Sequence, residues 1–539
     1  MATEQQAGTG GWYGTDEAVS RIRGQAFKAL CLGATLLALL AVFVLLVYVA
    51  FDAFQPLTAD RGWLLTFGVT VVLPLLGATG YYYTRDTRAG ETATIALGLP
   101  VVSLLLTGGV FITFEHIVSV YRWLAILVAL FVAGTVVYAH SRARPTADLE
   151  RLLVVVAVPV LALYLIPRVI LSLPVLPTES IALFASFVLP VAVAAGWFVR
   201  RQREDDRAGV TAAVLTLLAA AIGFGAAPVV GIDPFVWMLL VAVTAVPVGL
   251  YVESVVRRGA GVSGLAFPLL VAGGIVAGVF VTDALGFAGP NSWLDWGFLT
   301  SAPSRTPEDA GFYPPLVGSV MMLLVIIVSA FPVGVGAAIY LEEYAPERGR
   351  WGRLVDLIEV NIGNLAGVPS VVYGVLGLAL FIRWGGLGSG TALVGGFTVG
   401  LLILPIVIIS SQEAISAVPD SMRRASYGMG ATKWQTTRNV VLPEALPGIM
   451  TGNILAMGRA IGETAPLLLI GAPAVVRLAP NSFTNKFSAM PRQIYTWSSE
   501  IDAAFRHGVL AAGVVTLLVV LLLMNGAAII IRNKYQRRD

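Results

Sequence analysis

Residues 413–466 read EAISAVPDSMRRASYGMGATKWQTTRNVVLPEALPGIMTGNILAMGRAIGETAP. This is the longest polar, charged interruption in the apolar second half of the chain. It separates two hydrophobic runs, each long enough to cross a bilayer. Such a segment has to sit in water, and its pattern predicts two short amphipathic helices. Asp420 or Ser421 is placed to cap the first, Gly430 to break it, and Thr432 with Gln435 to form a capping box for the second. Pro443 and Pro447 are expected to end the second helix before the chain re-enters the apolar phase. A compact helix–turn–helix on the face of a membrane bundle is a shape for docking a partner.

Composition sets the surroundings of that segment. Of 539 residues, 57% are hydrophobic and 12% charged, and the mean hydropathy is +0.83. Soluble domains carry about a quarter charged residues, so the shortfall points to a polytopic membrane protein. A net charge of +3 is too small to argue for a nucleic-acid partner. The single cysteine, Cys31, excludes an intramolecular disulfide and a cysteine-rich metal site. His116, His140 and His507 are widely scattered, and no metal site is expected. The residues to about Gln25 are polar, with acids and no cleavage pattern, so Lys28 onward reads as a retained first span.

Apolar runs of about 18–25 residues recur along the whole chain, the length a helix needs to cross hydrocarbon. About fourteen are expected, near 27–51, 62–83, 92–114, 121–139, 152–173, 180–199, 209–231, 234–254, 264–286, 314–340, 364–383, 391–410, 447–471 and 508–531. Runs this long and unalternating are helices, so the fold class is all-α, a polytopic helical bundle. Every second connection is basic: Arg85 and Arg88; Arg142, Arg144 and Arg151; Arg200, Arg201, Arg203 and Arg207; Arg257 and Arg258; Arg348, Arg350 and Arg353; and the 413–447 linker. The tail adds Arg532, Lys534, Arg537 and Arg538. Positive loops stay inside, which puts both termini and the linker in the cytoplasm of a cell-membrane protein. A basic, glycine-rich boundary near 257–264 divides the chain. Residues 1–260 hold about eight spans with no role that the sequence reveals, and 261–539 hold six.

Arg459 and Glu463 are the sharpest chemical pair. They lie four residues apart inside an apolar run and so share a helix face. A charge in hydrocarbon costs at least about 2.5–3.5 kcal/mol, so such groups pair or line a polar path. Both readings stand, a salt bridge locking the bundle or a cation on an anion's route. A guanidinium forks onto phosphate oxygens, and Glu463 would hold it when no anion is present. Thr464 would add a hydroxyl to the path. The chain has no G-x-x-x-x-G-K-[ST] loop. It is therefore not expected to be an enzyme or to carry a cofactor, and any ATP hydrolysis would come from another subunit.

The stretch Arg424–Pro443, RASYGMGATKWQTTRNVVLP, resembles the Glu-Ala-Ala loop of binding-protein-dependent ABC importers. Gly430 and Val440-Val441-Leu442-Pro443 fall at that loop's spacings, while Arg424 stands where the family has an acid. GRAIGETAPLLL (458–469) is similar to the PstA-type permease of phosphate importers. So are WGFLTSAPSRTPEDAGFYPPLVGS (296–319), AIYLEEYAP (338–346) and VNIGNLAGVPSVVYG (360–374). The resemblance covers roughly residues 264–539 and implies a six-helix MetI-like permease core moving inorganic phosphate. It implies that Arg424, Ala425, Ser426, Gly430, Ala431, Thr432, Lys433, Leu442 and Pro443 belong to coupling helices at about 413–447. These would dock a cytoplasmic ATP-hydrolysing subunit (PstB-like), beside a second permease subunit (PstC-like) and an extracytoplasmic phosphate-binding protein (PstS-like). The competing readings are a permease for another oxyanion and an ion-gradient-driven carrier. The latter would need paired broken helices and a relay of intramembrane acids.

Overall fold

The computed structural model describes residues 21–143, 148–173, 177–346 and 348–536. Of the residues read above, the polar segment before Arg21 and the loop and tail residues Arg144, Arg537 and Arg538 lie outside that set. Hydrocarbon offers the backbone no partners, so each apolar run closes its own hydrogen bonds as a helix. In the first half these are α1 (Gly24–Phe54), α2 (Arg61–Tyr82), α3 (Thr87–Ile117), α4 (Val120–Ala143), α5 (Leu153–Leu171) and α6 (Glu179–Arg203). They continue as α7 (Asp206–Ile222) and α8 (Pro234–Arg258). The second half holds α9 (Val262–Leu285), α10 (Tyr313–Tyr344), the bent pair α11 (Gly349–Ala366) and α12 (Ser370–Trp384), and α13 (Ala392–Ser416). It ends with α14 (Asp420–Gly428), α15 (Lys433–Gly462), α16 (Met490–Ser498) and α17 (Ala504–Gly526).

The fold is all-α, and among the described residues 12 helices are long and apolar enough to cross a membrane. The chain is a multi-pass membrane protein. Two of the fourteen expected runs have no counterpart among those twelve helices. The run at 209–231 yields the 17-residue α7 and then a turn-rich stretch ending at Gly231, whose φ is +75°. The run at 364–383 is entered through α11, an amphipathic helix, and α12 turns from it by 108°. Val368 precedes Pro369, which disfavours helical backbone at that position and makes the corner. On α11 only Gly352 is buried; Trp351, Leu354, Leu357, Ile358 and Val360 stand exposed beside Arg350, Arg353, Asp356 and Glu359.

The centre of the second half is α13, with α10 and α15 packed on it. Small residues set the approach. Gly396 lies so close to Val325, and Gly334 to Val407, that neither leaves room for a Cβ. Gly452 meets Ser410 and Gly448 meets Ala414 in the same way. The first half has its own apolar cluster around Phe114, Leu183, Met238 and Leu239. Its α3 also reaches into the central cluster through Phe111, Ile112 and Ile117, where His116 Nε2 and Tyr313 Oη share a hydrogen bond of 2.8 Å. The bundle has two ends. One carries the 417–432 linker. At the other, the connections 286–312 and 470–503 fold over an aromatic cluster of Phe298, Phe312, Trp497 and Phe505.

Candidate functional site

At the linker end, α14 starts directly after Pro419 and no side chain caps it. The expected cap from Asp420 or Ser421 is therefore absent. Asp420 is already inside the first turn and faces Arg423 Nη1 at 3.3 Å. Pro419 fixes φ at −60° at the entry but offers the first N–H groups no side-chain acceptor. The turn that follows needs Gly430, because its φ is +84°, a region costly for any residue with a Cβ. Gly430 N–H donates to Tyr427 O at 2.9 Å and Ala431 N–H to Ser426 O at 3.2 Å, which closes the end of α14. The capping box on α15 forms as read: Gln435 N–H donates to Thr432 Oγ1 and Thr432 N–H to Gln435 Oε1.

The prolines behave differently from the sequence expectation. Pro443 and Pro447 do not end a second short helix. The chain runs from Lys433 to Gly462 as one helix, α15, through a π turn at Thr437–Val441. The wide turn already breaks the ordinary i to i−4 ladder just ahead of Leu442 and Pro443, where a missing N–H costs least. Leu442 is partly buried against the apolar cluster at this end, and Pro443 is exposed. The two segments are clasped by a buried bond between Ser426 Oγ and Thr436 Oγ1, 2.8 Å long. The Lys433 ammonium lies 5.3 Å from the centre of the Tyr344 ring, close enough for a cation–π contact. Arg424, Ala425, Tyr427, Met429 and Trp434 are exposed, so the turn presents an apolar face with a cation at its edge.

The residue that anchors this unit was not singled out from the sequence. Arg423 donates from Nε and Nη2 to Glu343 Oε1, at 3.1 and 3.0 Å. It also donates to Ile415 O, at 2.8 Å, and to Val418 O. Its side chain is 15% exposed and that of Glu343 only 5%. One guanidinium thus ties α14 to the ends of α10 and α13. The signal was present as an acid pair closing the apolar run of α10, Glu342-Glu343.

Toward the opposite end, Arg459 Nε contacts Glu463 Oε1 at 3.3 Å, so the pair read from the sequence forms. Arg459 lies in the last turn of α15. Glu463 is already past the helix, with an extended backbone at φ −73° and ψ 125°. Thr464 follows and opens a short turn, Ala465–Leu469. The apolar run at 447–471 is therefore two pieces joined by Glu463 and Thr464. The break leaves the carbonyl end of α15, the negative end of its dipole, beside the Arg459 guanidinium. Gly374 of α12 packs against Pro466 and Leu469 with no space for a Cβ, which holds the second piece in place. Arg459 is 45% exposed and Glu463 15%. Among the described residues only Nε of the guanidinium is engaged, so its terminal fork is unspent. Asn525 of α17 lies opposite Gly458, and among the described residues its buried Oδ1 has no partner, as is also true of Asn453 Oδ1. These two amides were not picked out from the sequence; each is one polar residue in an apolar stretch.

Residues 274–536 match the family described as binding-protein-dependent transport system inner membrane component. The probable ABC transporter permease protein YqgH of Bacillus subtilis (strain 168) is 36% identical over 220 residues, covering 38% of this chain and 70% of that one. The chain belongs to this permease family. Phosphate transport system permease protein PstA 1 of Mycobacterium tuberculosis (strain CDC 1551 / Oshkosh) is 35% identical over 229 residues, 42% of this permease and 72% of that protein. Phosphate transport system permease protein PstC of Mesorhizobium japonicum (strain LMG 29417 / CECT 9101 / MAFF 303099) is 31% identical over 262 residues, 42% and 77% respectively. The match lies in the half of the permease that holds both the clasped turn and the Arg459–Glu463 pair.

Proposed function

We propose that this chain is the transmembrane permease subunit of an ATP-driven importer of inorganic phosphate. The observation that carries the reading is α15. One unbroken helix has a partner-facing turn at its start and an ion pair with a free guanidinium fork at its end. The phosphate-transport names of the PstA and PstC relatives supply the cargo. The turn built from Arg424, Ala425, Ser426, Gly430, Ala431, Thr432, Lys433, Leu442 and Pro443 is the coupling site for a cytoplasmic ATP-hydrolysing subunit. The linker and both termini then face the cytoplasm of the cell membrane, and the 286–312 and 470–503 connections face outward toward a binding protein. A second permease subunit completes the pore. Residues 261–539 are assigned as the permease core and 1–260 as an added eight-helix region.

In this reading the anion sheds water near the end of α15 and meets the Arg459 fork, which matches two oxyanion edges. Glu463 competes for the same guanidinium and keeps the cargo from being trapped, while Thr464 offers a hydroxyl. Nucleotide-driven movement at the linker shifts the balance, because a ligand moves an equilibrium only by contacting its two states differently. The test is radiolabelled phosphate uptake by proteoliposomes holding the whole complex. Uptake that requires ATP, and that vanishes in an assembled Arg459→Ala complex, is the expected result. Uptake that ignores ATP and follows an ion gradient would replace the reading with a secondary carrier.

A further inference from the structure

The two far-end connections border a cavity of about 590 Å³. Arg305 comes from one connection and Arg477 from the other. Neither guanidinium has a hydrogen-bond or ion-pair partner among the described residues. Gln493 and Trp497 of α16 form part of the wall. Trp497 packs against Phe312, their ring centres 5.4 Å apart. Gln493 is fully buried, yet neither its Nε2 nor its Oε1 has a partner. Buried amides are nearly always bonded, so an unspent donor and acceptor in one wall residue require an explanation.

We propose that this cavity is a receiving site for a tetrahedral oxyanion, inorganic phosphate, on its way to Arg459. The inference rests on the phosphate-import reading and adds a second, outer station to it. Arg305 and Arg477 supply two forked cations from two different connections, which suits an ion with several equivalent oxygens. Glu500 is the one carboxylate in the wall. A third cation lies on α16: Arg492 donates to Oγ1 of Thr496, itself a wall residue, at 2.7 Å. Burial lowers the pKa of Arg492 below the usual arginine value, a desolvation that a neighbouring anion offsets.

Gln493 gives the site its chemical preference. Gln493 has no exposed surface in this conformation, so the ion meets it only once the wall shifts; its amide N–H then donates to a phosphate oxygen, and its carbonyl oxygen accepts from a P–OH. Phosphate near neutral pH carries such a proton, whereas sulfate has none, so sulfate leaves the carbonyl oxygen unsatisfied.

The experiment uses the assembled complex in nanodiscs, without a binding protein, in an Arg459→Ala background that silences the inner station. Radiolabelled phosphate binding is measured with sulfate as competitor. The Arg305→Gln/Arg477→Gln double variant, altered only at exposed positions, is expected to weaken phosphate binding about tenfold or more. Gln493→Leu is expected to narrow the preference for phosphate over sulfate. Unchanged phosphate affinity in the double variant overturns the site, as does an absence of binding before the arginines are changed. A double variant that loses affinity for the binding protein but not for phosphate would reassign the arginines to docking that protein's carboxylates. Wild-type complexes that import phosphate while the arginine variants bind it normally would remove this station and leave the import reading standing.

Discussion

Arg459 keeps one guanidinium nitrogen on Glu463 and leaves the fork free, whereas Arg423 spends all three nitrogens on protein acceptors. In the proposed reading, that difference separates a working charge from a structural one. Arg459→Ala should therefore abolish phosphate uptake while the complex still assembles, as read by size-exclusion profiles alongside uptake. Glu463→Gln should slow release, giving tighter phosphate binding together with a lower turnover. Arg423→Ala should act on stability instead. It strands the Glu343 carboxylate at 5% exposure, and breaking a buried pair costs about 3–5 kcal/mol. Thermal unfolding should show the loss. The Arg423→Met/Glu343→Leu pair should recover only part of it, because the Ile415 and Val418 carbonyls lose their donor as well. Loss of uptake at full thermal stability in Arg423→Ala would contradict this assignment. The Arg459 pair was legible in the sequence because its spacing is local. Arg423 and Glu343 were not, since they lie 80 positions apart and only the fold joins them.

The clasped turn tests the element scale. Gly430 combines a φ of +84° with an N–H bonded to Tyr427 O, and proline satisfies neither condition. Gly430→Pro should leave the partner's ATP hydrolysis running while phosphate uptake fails, seen as a fallen ratio of phosphate moved to ATP consumed. Gly430→Ala, which retains the N–H, should cost about 1–2 kcal/mol and keep part of the coupling. Met429 is 82% exposed on the same turn, so Met429→Glu should weaken retention of the ATP-hydrolysing subunit without lowering the melting temperature. Much of this element was readable: the Thr432 and Gln435 box, the Gly430 break and the exposed apolar face all follow from local rules. The reading failed at Pro443 and Pro447. It treated proline as a stop, where the π turn had already opened the hydrogen-bond ladder. The corner between α11 and α12 was missed for a related reason, since apolar length alone hid the amphipathic pattern that precedes Pro369.

At the scale of the whole molecule, the first half meets the core along α3, with the His116–Tyr313 bond on that seam. His116→Leu should lower stability by about 0.5–1.5 kcal/mol, the net worth of one hydrogen bond, and leave the phosphate KM unchanged. A shifted KM would bring the first half into the transport path. The span pattern was legible because hydrocarbon thickness fixes helix length, while the seam between the halves depends on side chains that no local rule selects. The length of α15 carries a mechanical consequence. At a rise of 1.5 Å per residue, the clasped turn and the Arg459 pair stand roughly 40 Å apart on a single rod. Tilting such a lever by about 5° sweeps its far tip through about 3–4 Å, more than the length of the ion pair. Power stroke and gate then keep the same clock, and probes fixed at the two tips would report one relaxation rather than two in succession.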